Sequence, residues 1–373
     1  MNILIVFGTR PEAIKLAPVI MLMREQGINV KVCVTGQHRE MLDQMLRLFS
    51  IVPDYDLDIM KSQQTLADIS SAVMANLDAI LAQGDTDLVV VQGDTTSAFV
   101  AALTAFYRKI PVAHVEAGLR TDNIYDPFPE EGSRRLISQI ATLNFAPTEQ
   151  AKKNLEQAGV LPQDIYLTGN TVIDALLWVH SSKKQLVNEK LEEILSRPGR
   201  KILLTTHRRE NIGGHMEEIF TAVNKICNEF ADIEVIFPVH LNPVVQTAAR
   251  KALANNQQVS LVPPLEYSDL VKVMSESYLI MTDSGGIQEE APALGKPVVI
   301  LRNTTERQEG VDSGTAILAG TKAENIYNAT KGLLEDRDQY QRMAVAVNPY
   351  GDGHAAERIC QAIKEFGETI NQR

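Results

Sequence analysis

The sequence predicts an α/β protein made of two doubly wound, parallel-sheet domains, one after the other. Three observations carry that prediction. Short runs rich in Val, Ile and Leu alternate with longer helical patterns along nearly the whole chain, the mark of βαβ units and a parallel sheet. The alternation breaks at Arg197-Pro198-Gly199-Arg200 and then restarts. At 373 residues the chain also exceeds the ~250 to 300 at which one hydrophobic core stops growing.

In the first half the expected strands are 3–7, 30–34, 88–91, 112–115 and 143–146, each a short apolar run suited to a sheet buried on both faces. Helical patterns fill the gaps at 11–24, 41–49, 66–81 and 97–107. Pro11 suits a first helical position, where its missing N–H is not needed. A long amphipathic segment is expected over 172–195. The second set of strands is expected at 202–205, 234–237, 260–262, 279–281 and 298–301. Asn348-Pro349-Tyr350-Gly351-Asp352-Gly353 is a turn cluster ahead of a last helix, which can pack away from the domain it follows. The expected domains are 1–170 and 171–352, with the terminal helix in 353–373.

Composition narrows the function classes. Apolar residues make up 45% and charged residues 22%, which supplies two cores and excludes disorder. The 36 Lys and Arg against 47 Asp and Glu leave a formal net charge of −11, which repels a polyphosphate backbone, so no nucleic acid is expected as a partner. Cys33, Cys227 and Cys360 are far apart and lack C-x-x-C spacing, so they read as reduced, buried thiols. The first apolar run is cut short by Gly8-Thr9-Arg10-Pro11 and reads as a strand, not a signal sequence. With no run near the ~20 apolar residues that span a bilayer, a soluble, cytoplasmic protein without a membrane partner is expected.

In open α/β sheets, ligands bind beyond the carboxyl ends of the strands, so the polar residues just after each apolar run are the ones to collect. They are Arg10, Gln37, His38, Asp94, Glu116, His207, His240, Asp283 and Ser284. Thr282-Asp283-Ser284-Gly285-Gly286-Ile287-Gln288-Glu289-Glu290 ends a strand in two glycines and starts a helix, where unpaired N–H groups suit an anion. Glu290, one turn in, could accept two hydrogen bonds from a vicinal diol. An ordinary glycine-assisted turn fits the same spacing. Gly8-Thr9-Arg10-Pro11-Glu12-Ala13-Ile14-Lys15 adds two cations. Neither G-x-G-x-x-G nor G-x-x-x-x-G-K-[ST] occurs, so nicotinamide and ATP chemistry lose support; no cofactor and no metal are expected. Asp94 and Glu116 follow strands that can be neighbours, and like charges held together make an acid and a base from two carboxylates. Asp94 as a helix N-cap is the alternative.

Taken together, these motifs resemble the non-hydrolysing UDP-N-acetylglucosamine 2-epimerases of bacteria. The resemblance also rests on Gln37-His38-Arg39-Glu40, Gly93-Asp94-Thr95-Thr96, His114-Val115-Glu116-Ala117-Gly118-Leu119-Arg120, Gly169-Asn170-Thr171-Val172-Ile173-Asp174, Thr206-His207-Arg208-Arg209-Glu210-Asn211, Thr304-Thr305-Glu306-Arg307 and the turn cluster, and so spans essentially the full chain. It implies a GT-B type fold, two Rossmann-like domains facing an interdomain cleft, with the last helix returning to the first domain, and a homodimer. By resemblance, Ser284, Gly285 and Gly286 bind phosphate, Glu290 the ribose, and Arg10, Lys15, His207 and Arg307 the diphosphate region. Asp94, Glu116 and Glu130 match the catalytic acids, with His207 beside them. Gln37, His38, Arg209 and His240 match an allosteric site for a second UDP-N-acetylglucosamine, although Glu40 stands where some relatives have Gln.

Carbon 2 of the N-acetylglucosamine unit has no adjacent carbonyl, so inversion needs transient oxidation or reversible elimination. The missing dinucleotide fingerprint favours elimination, with UDP as the leaving group. Three rivals remain. A hydrolysing epimerase is often fused to a kinase domain, for which 373 residues leave no room. A glycosyltransferase would not need clustered Asp94, Glu116 and Glu130, and a UDP-sugar sensor would have lost them.

Overall fold

The computed structural model describes residues 1–36, 39–61, 63–182, 186–208, 211 and 213–371. The chain divides into two compact units, Met1–Ala175 with Tyr350–Arg373, and Leu176–Pro349.

The first unit holds β1 (Asn2–Phe7), α1 (Arg10–Glu25), β2 (Asn29–Val34), α2 (Arg39–Leu48), β3 (Tyr55–Asp56), α3 (Leu66–Leu81), β4 (Leu88–Gln92), α4 (Thr96–Tyr107), β5 (Val112–Val115), α5 (Glu130–Ile140), β6 (Leu143–Ala146), α6 (Glu149–Gln157), β7 (Ile165–Leu167) and the start of α7 (Thr171–Ser181). All its strands are parallel, in the order β3-β2-β1-β4-β5-β6-β7. Ile3, Leu4, Ile5, Val6 and Phe7 are all buried, because helices cover both faces of the sheet. Side chains at the helix starts take up backbone N–H groups that would lack partners: Thr65 accepts from Asp68 N at 3.2 Å and Thr95 from Ala98 N at 3.0 Å.

The second unit continues with α8 (Glu189–Ser196), β8 (Arg200–Thr205), α9 (Gly214–Glu229), β9 (Ile233–Pro238), α10 (Pro243–Leu253), β10 (Val259–Val262), α11 (Tyr267–Glu276), β11 (Ser277–Thr282), α12 (Gly285–Glu290), β12 (Val298–Ile300), α13 (Gln308–Asp312), β13 (Ala316–Leu318), α14 (Ala323–Glu335) and α15 (Arg337–Ala344). Its strands are also parallel, in the order β10-β9-β8-β11-β12-β13. The last helix, α16 (Ala355–Asn371), belongs to the first unit and packs on α1. Its first N–H groups, on Ala355 and Ala356, donate to the buried Asp174 carboxylate at 3.3 and 2.8 Å.

Two details go beyond what the sequence pattern announced. The amphipathic segment over 172–195 forms two helices, α7 and α8. Ahead of α8, Val187 and Asn188 donate their N–H groups to Asp269 at 2.9 and 3.1 Å, and the Asn188 side chain caps Lys190 N. Residues 55–56, 165–167 and 316–318 are strands that no apolar run announced. Each is short, lies at a sheet edge and is only partly buried, so it needs no continuous hydrophobic face. Cys33, Cys227 and Cys360 are buried free thiols, which burial pushes up to about 12, 11 and 12 respectively.

Candidate active site

In each sheet the strand order reverses beside one strand, and the loops on either side of that switch carry the polar residues. In the first unit the switch lies between β1 and β4. Glu12, buried in the first turn of α1, ties the two loops together: its Oε2 accepts from Gly8 N and Thr9 N at 3.0 and 2.8 Å, and its Oε1 from Thr95 Oγ1 at 2.8 Å. Burial raises its pKa despite those donors. Arg10 opens α1, and Lys15, about one turn on, pairs its ammonium with Glu116 Oε1 at 2.5 Å.

Glu116 follows β5 with φ of 64°, a left-handed conformation in which a non-glycine residue is strained and which the surroundings must hold in place. They do so through its carboxylate. Besides Lys15, Asn170 Nδ2 donates to Oε1 at 3.0 Å and Gln92 Nε2 donates to Oε2. Asp94 follows β4. Its Oδ2 accepts from Arg134 Nε at 2.7 Å and pairs with Arg134 Nη2 at 2.7 Å. Arg134 also pairs with Glu131 at 3.4 Å, and Glu131, fully buried, accepts from Arg135 Nε and Thr121 N as well. Glu130 begins α5, and its Oε2 is buried without a hydrogen-bond partner among the described residues. His114 lies buried in β5 within electrostatic reach of both Asp94 and Glu116. Its Nε2–H donates to the Gly93 carbonyl at 2.7 Å, and burial lowers its pKa to about 4.

In the second unit the switch lies between β8 and β11. Asp283 is fully buried there. It accepts from Thr206 Oγ1 at 2.9 Å, from the backbone N–H of His207 and Arg208 at 3.0 Å each, and from Asn211 Nδ2 at 2.9 Å. Burial alone would raise its pKa, but the bonds from His207, Arg208 and Asn211 outweigh burial and bring it to about 2. His207 Nδ1 stands 3.3 Å from Asp283 Oδ1, and the His207 ring stacks on His240 with centroids 5.9 Å apart. Ser284 precedes α12, and Gly285 and Gly286 are its first residues. A β-carbon on Gly285 would lie 3.4 Å from the Arg307 guanidinium carbon and 3.7 Å from Arg208 Nη2, so two cations converge on this turn. Glu289 orients Arg307 through a 2.8 Å pair, and Glu290 Oε1 accepts from Tyr267 Oη at 2.5 Å.

Gln37, His38 and Arg209 lie outside the described residues. Sequence reasoning gave no role to Glu12, Glu131, Arg134 or Arg208. Arg134 could have been found from its place one helical turn after Glu130, and Arg208 from its place beside His207.

The family model for UDP-N-acetylglucosamine 2-epimerase matches residues 21–364. The chain is 51% identical to the Bacillus subtilis UDP-N-acetylglucosamine 2-epimerase, over 97% of this chain and 95% of that protein. It belongs to the UDP-N-acetylglucosamine 2-epimerase family. A crystal structure of the Neisseria meningitidis UDP-GlcNAc 2-epimerase, bound to UDP-GlcNAc, superposes with a TM-score of 0.87 at 44% identity, covering 98% of this chain and 100% of the other. Acinetobacter baumannii MurG, 15% identical with a TM-score of 0.62 and covering 98% and 100% of the two chains, shares the fold alone. The epimerase is thus an isomerase of the bacterial, non-hydrolysing type, built of two Rossmann-like domains of the GT-B fold. Among its described residues no helix is long and apolar enough to cross a membrane.

Proposed function

We propose that this epimerase interconverts UDP-N-acetylglucosamine and UDP-N-acetylmannosamine by elimination and readdition of UDP, and that the product feeds bacterial surface polysaccharide synthesis in the cytoplasm. The observation that carries the reading is the placing of Asp94 and Glu116 beyond the carboxyl ends of the paired strands β4 and β5, beside the switch point. A carboxylate oxygen takes the carbon 2 proton. The C–H electron pair becomes the double bond between carbons 1 and 2, and the bond from carbon 1 to oxygen breaks with its electrons leaving on UDP. The product is 2-acetamidoglucal. Readdition of UDP at carbon 1, with protonation of carbon 2 from the opposite face, completes inversion.

In this reading Asp94 and Glu116 move the protons and Glu130 supports them. Ser284, Gly285, Gly286 and Arg307 receive the diphosphate with Arg10, Lys15 and His207, and these cations stabilise the charge that develops on departure. Glu290 takes the ribose. The reading extends to a homodimer and to activation by a second UDP-N-acetylglucosamine at Gln37, His38, Arg209 and His240.

The test is proton NMR of UDP-N-acetylglucosamine with the enzyme in deuterated water. UDP-N-acetylmannosamine carrying deuterium at carbon 2 is the expected product. Free N-acetylmannosamine with UDP, or an unchanged spectrum despite binding, would overturn the reading.

A further inference from the structure

We infer that Arg134 is a positioning residue that selects which oxygen of Asp94 transfers a proton. Both Arg134 contacts, from Nε and from Nη2, converge on the same carboxylate oxygen, Oδ2, at 2.7 Å each. Oδ1 has no partner among the described residues. The guanidinium is a rigid planar fork, so engaging two of its nitrogens on one oxygen fixes the place of that oxygen and occupies it. Arg134 is itself held from behind. Its Nη1 pairs with Glu131, which is wholly buried and anchored by Arg135 and by the backbone N–H of Thr121. From the other side, the Gly93 carbonyl next to Asp94 is fixed by the His114 N–H. The relay from Glu131 through Arg134 to Asp94 therefore leaves Oδ1 as the oxygen that faces the reacting carbon.

This rests on the reading above, in which Asp94 exchanges the carbon 2 proton. Because Arg134 acts through Asp94, it should govern turnover and leave substrate affinity alone. Misplacing a reacting group by about 1 Å costs on the order of 100-fold in rate. Arg134→Ala is accordingly expected to lower kcat roughly 100-fold, with KM and UDP affinity little changed. Added guanidinium ion should restore a large part of the rate by refilling the vacated space, and sodium at equal ionic strength should not. Arg134→Lys keeps the charge but loses the fork, and should remain about tenfold below wild type.

The wild-type enzyme is run beside the variants in the deuterium assay. If wild type shows no carbon 2 exchange, the proposed function falls whatever the variants do. If wild type exchanges and both variants turn over at its rate, only the role of Arg134 falls. A folded Arg134→Ala that guanidinium does not rescue, or whose loss lies in KM, also overturns it. Should Arg134→Ala fail to fold, Arg134→Lys decides alone: a lowered kcat at unchanged KM supports the inference, and wild-type turnover refutes it.

Discussion

Replacing Asp283 with asparagine tests whether one buried carboxylate holds the loop after β8 in place. Asp283 is wholly inaccessible and accepts from a hydroxyl, two backbone N–H groups and the Asn211 amide, so its charge is stabilised far more in the folded than in the unfolded chain. A carboxyl that titrates at about 2 when folded and near its ordinary 3.8 when unfolded contributes roughly 2 to 3 kcal/mol at neutral pH. The folded form binds the proton less readily. The contribution is therefore whole above the unfolded value and is lost as pH falls through it towards the folded one. Asparagine has the same outline but turns an N–H group towards donors, and it carries no charge at any pH.

Asp283→Asn should therefore destabilise the second unit by roughly 2 to 3 kcal/mol at pH 7, with the gap narrowing by about 1 kcal/mol by pH 3. Urea unfolding followed by fluorescence suits the measurement, because the chain has one tryptophan, Trp178, which falls in the Leu176–Pro349 unit. The backbone N–H of Arg208 donates to the Asp283 carboxylate and its Nε to the Asp283 main-chain carbonyl, so loss of the carboxylate should shift the Arg208 backbone and weaken UDP binding by calorimetry. A gap that stays constant from pH 7 to pH 3 would refute the electrostatic account. Unchanged stability at pH 7 would refute the role altogether.

Three further outcomes follow from the first unit. Gly8→Ala places a β-carbon 2.0 Å from Thr35 Oγ1 and 3.1 Å from Ser97 Oγ, so it should destabilise by roughly 1 to 3 kcal/mol, partly relieved by Thr35→Ala; a neutral effect on thermal unfolding would refute the close packing. Lys15→Met leaves the Glu116 carboxylate, with its side chain 7% exposed, without its ammonium partner, and should destabilise by about 3 to 5 kcal/mol in denaturant titrations. Burial raises the Glu12 pKa, so wild type should lose stability as pH rises above 4.5. Glu12→Gln keeps the acceptor for Gly8 and Thr9 without a charge, and should gain on wild type between pH 5 and pH 8; parallel curves would count against this.

The inner strands could be read from sequence because helices on both faces demand unbroken apolar runs, as at Leu88, Val89, Val90 and Val91. The edge strands could not, since two or three partly buried residues leave no such run. The break between α7 and α8 was hidden for a different reason: it depends on Asp269, more than 80 residues away in sequence. The positions of Asp94, Glu116, His207 and Ser284 after their strands followed from the rule that ligands gather at the carboxyl ends. Their partners did not. That Lys15 pairs with Glu116, 101 residues on, or that Arg208 and Arg307 meet over Gly285, depends on which loops the sheet order brings together.

Counting acceptor sites on the buried carboxylates separates two kinds of acid that look alike in sequence. Asp283, Glu12 and Glu131 each have both oxygens engaged by donors from two or more segments and so tie loops together, and Glu116 is held in the same way by Lys15, Asn170 and Gln92. Among the described residues, Asp94 is engaged at Oδ2 alone and Glu130 keeps a buried oxygen without a partner. That arrangement suits proton transfer directly, with one oxygen held for orientation and the other available to the substrate; Glu116, held at both oxygens, must release a donor before it can act. Glu130 and Glu131 are the sharpest contrast. They are adjacent in sequence and identical in type, yet α5 turns one of them into a cluster of arginines and leaves the other with an unmet acceptor. Hydrogen-bond saturation, which depends on tertiary structure, therefore distinguishes acids that spacing alone treats as equivalent.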